Sequence, residues 1–327
     1  MPCLPLDSPA RAGGLQLVAT LGPASFGRAA DLAAAGATSF RVNASHFDLD
    51  ELSAAISSIK RSCPGAPVIV DLQGAKMRIT LPAPRDVASG DVVTFSPGPG
   101  ADVCVPHPEL FIQARVGDTL SVDDGRVRFE VVGIGPQVMT ARAVEGGRLL
   151  PNKGLNVEQH PVRLERLTDR DASACRLAAR ASVPALAFSF MIDGTEADWL
   201  RAVAPASVVI GKIERAEAVT RLGTIATRVD AIWICRGDLG AQLGADALAR
   251  CVAAVDPSHL PVPVLMAGQV LEHLTSHPEP TRSEVCHLFD LVARGYAGIV
   301  LSDETAIGRD PVHAVSTAAG LLAAFRH

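Results

Sequence analysis

The run Val209, Ile210, Gly211, Lys212, Ile213, Glu214 decides the fold, together with a second run, Ile232, Trp233, Ile234, Cys235, Arg236, Gly237, Asp238. Each begins as an apolar, β-branched stretch, the pattern of a strand buried on both faces. Each ends in charge: a Lys and a Glu two residues apart on the first, an Asp just past the end of the second. Such charges belong at the mouth of a parallel barrel, where the carboxyl ends of the strands meet solvent. Two carboxylates and an ammonium there suit a divalent cation and an anionic substrate, with the Lys neutralising developing charge. Two ion-paired strand ends are the alternative for these residues taken alone.

Apolar runs of the same kind recur at residues 15–21, 39–43, 68–72, 185–190, 208–213, 231–235, 262–266 and 298–301. Between them, stretches such as 28–35, 49–61 and 169–181 place Ala, Leu and Ile at helical spacing. Strand then helix, repeated eight times, reads as an α/β fold, a (β/α)8 TIM barrel with right-handed crossovers. The alternation breaks once. Residues 82–157 are punctuated by Gly and Pro and carry short Val-rich runs at 92–95, 119–122, 127–132 and 138–142. They read as a small β-domain inserted after the third strand. The expected division is barrel over 1–81, inserted β lid domain over 82–157, and barrel again over 158–327.

Composition agrees. The 327 residues suit one barrel with an insertion, and 48% hydrophobic content with only 4% aromatics implies a core of branched aliphatics. A net charge of −5 gives no sign of a nucleic-acid surface. Seven scattered cysteines, at 3, 63, 104, 175, 235, 251 and 286, include no C-x-x-C pair, the usage of reduced cytosolic thiols. No apolar run reaches the ~18 to 20 residues of a membrane span, and no signal-peptide layout opens the chain. A cytoplasmic protein acting on small molecules, with neither nucleic acid nor membrane as partner, is the expectation.

Ordered segments along nearly the whole chain resemble those of pyruvate kinase. Lys212, Ile213, Glu214 match the family's K-I-E, and Arg236, Gly237, Asp238, Leu239, Gly240 its R-G-D-L-G. Thr20, Leu21, Gly22, Pro23, Ala24, Ser25 match T-I-G-P-A-S, and Arg41, Val42, Asn43, Ala44, Ser45, His46 match R-x-N-x-S-H. The segment from Asp71 to Arg78 resembles that of the third strand; Asp123, Asp124, Gly125 and Lys153, Gly154, Leu155, Asn156 resemble the lid. Pro280, Thr281, Arg282, Ser283, Glu284 and Ser302, Asp303, Glu304, Thr305, Ala306 resemble the closing segments. The resemblance implies a mobile lid over the barrel mouth. It also implies that a chain stopping at His327 carries no C-terminal effector domain and leaves its barrel helices free to pair in a homo-oligomer.

Phosphoryl transfer needs metal carboxylates, cations around the moving group and exclusion of water. By resemblance, Glu214 and Asp238 hold Mg2+ or Mn2+. Lys212 contacts the transferred phosphoryl and stabilises the enolate, and Arg41 bridges substrate phosphate and nucleotide. Gly237 and Asp238, opening a helix, offer N–H groups to the substrate carboxylate. Asn43, Ser45 and Asp71 stand at the family's monovalent-cation site. Thr20, Pro23, Arg41, His46, Arg78 and Lys153 stand where the family holds ADP or ATP.

Two departures matter. Leu72, Gln73, Lys76 and Ile79 resemble the potassium-independent branch, in which the Lys76 ammonium replaces K+. Where the family reads A-T-Q-M-L-E, the chain reads Ala267, Gly268, Gln269, Val270, Leu271, Glu272. Gly268 removes a hydroxyl and side-chain volume beside the substrate's C3. The expected activity is phosphoryl transfer between phosphoenolpyruvate, or a C3-substituted enol phosphate, and ADP, as in glycolysis. A metal-dependent lyase or aldolase acting on a 2-oxo acid, and a non-catalytic binding or regulatory paralogue, are the alternatives.

Overall fold

The computed structural model describes residues 14–123 and 125–325; Cys3, Asp124 and His327 lie outside the described residues. The chain divides into two compact units, one ending at Gly74 and resuming at Arg166, the other spanning residues 75–165.

The first unit opens with strands β1 (Gln16–Thr20), β2 (Ser39–Asn43) and β3 (Val68–Leu72). The inserted unit carries β4 (Arg85–Val87), β5 (Val92–Ser96), β6 (Val103–Cys104), β7 (Thr119–Val122), β8 (Val127–Ile134), β9 (Met139–Glu145), β10 (Gly147–Leu149) and β11 (Leu155–Val157). The first unit then resumes with β12 (Ala185–Phe188), β13 (Val208–Ile213), β14 (Ala231–Cys235), β15 (Val264–Ala267) and β16 (Gly298–Leu301). Its eight strands close into a parallel barrel in which β1 pairs with both β2 and β16.

Strand periodicity determines what fills the barrel. Val18, Ile69, Ala185, Ala187, Ile210, Ala231, Trp233, Leu265 and Val300 belong to one buried cluster. With Val18, Ile69, Ala187 and Ile210 facing inward, the residues two further on, Thr20, Asp71, Ser189 and Lys212, face the same way. The apolar plug is therefore capped at the carboxyl end by polar side chains. Helices cover the outside, and their starts are locally encoded. Leu49–Ser62 opens with an Asp48/Glu51 capping box and Arg282–Ala293 with a Thr281/Glu284 one, so the segment Thr281 to Glu284 is first of all a helix start.

In the inserted unit, β11, β7, β8, β9, β5 and β6 form one six-stranded sheet, and β10 pairs with β4. Phe95 and Phe129 meet edge to face in its core, with centroids 5.3 Å apart. Four Val-rich runs mark β5, β7, β8 and β9, whereas β4, β6, β10 and β11 have only two or three residues each. Strands that short show no alternation to read.

The closing seam leaves no room beside Gly298, whose register partner is Gln16. A Cβ there would lie 2.0 Å from the Gln16 carbonyl oxygen, on backbone that cannot yield without opening the barrel. Gly298→Ala should lower stability by about 3 kcal/mol or more, read from the urea midpoint. A change below about 0.5 kcal/mol would mean that the seam adjusts freely.

Candidate active site

Four strands bring a compact charged cluster to the barrel mouth. Lys212, near the end of β13, places Nζ 3.0 Å from Asp71 Oδ2 and 3.0 Å from Glu214 Oε1. The ammonium also donates to Ser189 Oγ at 2.8 Å. Arg41 on β2 reaches the same Asp71 oxygen through Nε at 2.7 Å and Nη2 at 2.6 Å, and donates from Nη1 to Thr20 Oγ1 at 3.0 Å. Glu214 accepts the Phe190 N–H through its other oxygen at 2.7 Å. Asp71, Lys212 and Glu214 are all buried.

The electrostatics follow from that burial. Desolvation opposes the Lys212 charge, but the Asp71 and Glu214 carboxylates outweigh it and hold the ammonium pKa above its ordinary value. Burial likewise pushes the Asp71 carboxyl up, but Lys212 and then Arg41 prevail and hold it below its usual 3.8. Lys212 is thus a fixed cation at neutral pH, suited to stabilising negative charge and unsuited to taking or giving a proton. Because its native pKa is depressed, Asp71 contributes stability that is present above 3.8 and is lost as pH falls through the lower native value.

Ser189 was not anticipated from the sequence, which reads 185–190 as one strand. The strand ends at Phe188, and Phe190 takes φ 58°. Ser189 Oγ accepts from Lys212 and lies 2.7 Å from the Leu72 carbonyl, to which its hydroxyl can donate. Gly74 lets this corner close: its φ is 59°, and a Cβ there would lie 2.0 Å from the Ser189 carbonyl oxygen. Asp171 was missed as well. Buried in the first turn of helix Asp169–Arg180, it accepts the Gln73 and Gly74 N–H groups at 3.1 and 3.0 Å and so fixes the exit of β3. Burial raises its pKa to about 6. No composition or spacing rule signals either residue, since both act across about a hundred positions of sequence.

The remaining candidates are distributed as follows. Gly237 and Asp238 lie in the first turn of helix Arg236–Leu243, with Gly237 exposed and Asp238 half-buried. The first N–H groups of such a helix have no intrahelical acceptor and can bind an anion. Gly268 follows β15, and a Cβ on it would lie 3.3 Å from the Gly237 nitrogen. Asn43 Oδ1 caps the Ser45 N–H at 3.1 Å in the turn after β2, His46 is exposed at the end of that turn, and Pro23 is exposed after β1. Lys76, Arg78 and Lys153 belong to the inserted unit. There, Arg78 donates to the Asn152 carbonyl at 2.7 Å and Lys153 pairs with Asp123 at 2.9 Å.

Glu214 and Asp238 follow adjacent paired strands and offer hard carboxylate oxygens. Among the described residues no three acidic, His or Cys side chains converge as a metal cage. Two carboxylates fit Mg2+, which retains waters and takes its other ligands from substrate oxygens. No helix among the described residues is long and apolar enough to cross a membrane.

Removing Asp71 leaves two cations facing one carboxylate. Asp71→Asn should lower stability by about 3 to 5 kcal/mol at neutral pH, with the gap narrowing as pH falls below 3.8. Urea unfolding across pH checks this; a loss under about 1 kcal/mol would reduce the cluster to an ordinary surface pair.

The family model for the pyruvate kinase barrel domain matches residues 14–315. A pyruvate kinase of Agrobacterium vitis is 31% identical over 318 residues, covering 92% of this chain and 67% of its own length. Those of Aeropyrum pernix and Mycobacterium tuberculosis are each 30% identical, covering 93% and 94% of this chain and 69% of their own lengths. The chain therefore spans about two thirds of the length of these relatives. The parallel barrel, the charged cluster at its mouth and these matches agree: the chain belongs to the pyruvate kinase family, a family of phosphotransferases.

Proposed function

We propose that the chain transfers a phosphoryl group between phosphoenolpyruvate, or an enol phosphate substituted at C3, and ADP. The observation that carries this reading is the buried Lys212 ammonium, locked as a cation by Asp71, Glu214 and Ser189. An enolate oxygen developing beside it is stabilised by a charge that needs no reorganisation. A neutral amine, as imine-forming aldol chemistry requires, is disfavoured at the same site.

Glu214 and Asp238 are the residues to hold Mg2+ or Mn2+, whose chemistry there is to neutralise phosphoryl and enolate oxygens. Arg41 lies against Thr20 and Asp71 with its guanidinium mostly buried, and it serves the transferring phosphate. The N–H groups of the helix start at Gly237 and Asp238 are assigned to the substrate carboxylate. Thr20, Pro23 and His46 are the residues of the first unit that we assign to the nucleotide. The Asp71 carboxylate is satisfied by two side-chain cations, Arg41 and Lys212, which supports activity without potassium.

A coupled assay with phosphoenolpyruvate, ADP and Mg2+ in potassium-free buffer tests the reading. Turnover should be nearly the same with potassium added. Glu214→Ala or Asp238→Ala should remove it by at least about a hundredfold. Strong potassium activation would overturn the cation assignment. Absence of phosphoryl transfer alongside metal-dependent cleavage of a 2-oxo acid would instead establish the lyase alternative.

Gly268 supports the C3-substituted substrate. It has φ 79°, a conformation that a β-branched residue enters only under strain. Gly268→Thr should therefore lower stability by about 1 to 2 kcal/mol. At the same time it should raise turnover of phosphoenolpyruvate relative to any C3-substituted analogue, because a positioned hydroxyl contributes on the order of a hundredfold or more to proton transfer. Wild-type turnover of phosphoenolpyruvate that already matches its full-length relatives and is slowed by the new Thr would restore phosphoenolpyruvate as the sole substrate.

A further inference from the structure

Two successive residues after β15 have positive φ, Gly268 at 79° and Gln269 at 54°. Gln269 has no glycine freedom, so its conformation persists only where the surroundings impose it. Arg236 imposes it. Its Nε donates to the Gly268 carbonyl at 3.0 Å and its Nη2 to the Gln269 carbonyl. The remaining arm, Nη1, meets His287 Nε2 at 2.9 Å. Among the described residues no carboxylate forms an ion pair with this guanidinium, although burial makes its charge costly and lowers its pKa.

A guanidinium can only donate, so His287 Nε2 must accept. The ring is therefore neutral, with its proton on Nδ1. A second ring proton would set N–H against N–H and cation against cation. The charged and titratable groups around the pair are Asp290, Arg294 and Glu284 on the ring's own helix, Glu272 after β15, Glu304 after β16, and Tyr296. Two of these carboxylates are already engaged. Glu304 accepts the Leu271 and Ser302 N–H groups, and Glu284 those of His273 and Thr281. The neutral imidazole is thus the acceptor on which the third arm of Arg236 depends.

We propose that His287 is a positioning residue: as a neutral acceptor it orients Arg236, which holds the Gly268 and Gln269 peptides beside Gly237, and uptake of a proton on Nε2 releases that segment. The link to catalysis rests on the function proposed above, which puts Gly268 beside the substrate's C3; the clamp itself does not. Burial, and then Arg236, depress the His287 pKa below 6.5, with Asp290 opposing. The unfolded chain accordingly binds this proton first as pH falls. Stability is full above 6.5 and declines as pH drops from there through the lower native value.

The test reads the clamp without relying on turnover. Hydrogen exchange of the amides of residues 269–271, corrected for intrinsic rate, is compared at about pH 7.5 and about pH 5. In the wild type, protection should fall by about tenfold at the lower pH. His287→Gln, whose side-chain oxygen can accept from Arg236, should keep protection at both pH values, and His287→Ala should lose it at both. Nitrogen NMR of the wild-type ring at neutral pH should show the Nδ1–H tautomer, a readout that requires no variant. Equal protection at the two pH values, retained pH dependence in the Gln variant, or an Nε2–H ring would each overturn the proposal. With phosphoenolpyruvate, kcat should follow the same acid limb while the KM for ADP stays level. If exchange behaves as stated but no phosphoryl transfer occurs, the clamp stands and the kinase reading falls.

Discussion

Two cations and two anions at the barrel mouth form a chain of contacts, Arg41 to Asp71, Asp71 to Lys212 and Lys212 to Glu214. Taking any one of them out of water alone would cost several kcal/mol, and only mutual pairing with near-ideal distances makes the set tolerable. That requirement reaches into the surrounding structure. The charges must come from neighbouring elements, so β2, β3 and β13 have to end in register, with the turn after β12 supplying Ser189. The Gly74 turn must pass close enough to leave no gap behind Ser189. Asp171 must hold the β3 exit, because a shift there would separate Asp71 from both cations. Stability of the barrel top and readiness of the site are therefore one property.

A balanced cluster is also responsive. Glu214 lends one oxygen to Lys212 and the other to the Phe190 N–H. In the function proposed here, Glu214 would hold a divalent cation that neutralises negative charge, and Lys212 would then face the anionic substrate. Asp71 remains the partner of the ammonium throughout, so the charge would not be left unpaired in the barrel. This differs from acid–base catalysis by a lysine, which needs a depressed pKa near the working pH. The two carboxylates beside Lys212 push the other way.

The barrel was legible because its strands are buried on both faces and read as unbroken apolar runs, and because helical spacing separates them. Lys212 and Glu214 were legible for a related reason, whereas Asp71 came only from the family resemblance. A charge at the end of an apolar run, two residues beyond an inward-facing position, has nowhere to point but the mouth. Ser189 was not, since one hydroxyl after an apolar run carries no distinguishing signal, and the turn that orients it depends on Glu214 accepting the Phe190 N–H from twenty-four residues on. The short strands of the inserted unit were lost because pairing, and not pattern, defines them. Arg236 was read only as part of an R-G-D-L-G segment; its work on Gly268, Gln269 and His287 spans up to 51 positions and is a product of the fold.

The segment after β15 shows why local backbone geometry matters as much as side-chain chemistry. Gly268, where the pyruvate kinase motif it resembles reads Thr, has φ 79°, a conformation in which a β-branched residue would be strained. The next residue, Gln269, has no glycine freedom and has to be held at φ 54°. Arg236 does this through two carbonyls, and Glu304 adds a hold on the Leu271 N–H at 3.1 Å. Loss of a side chain at position 268 and reliance on a buried guanidinium to order the following peptides are two sides of one arrangement. The backbone that passes close to the Gly237 nitrogen is thereby held in place, which in the function proposed here would keep the site fixed around its substrate.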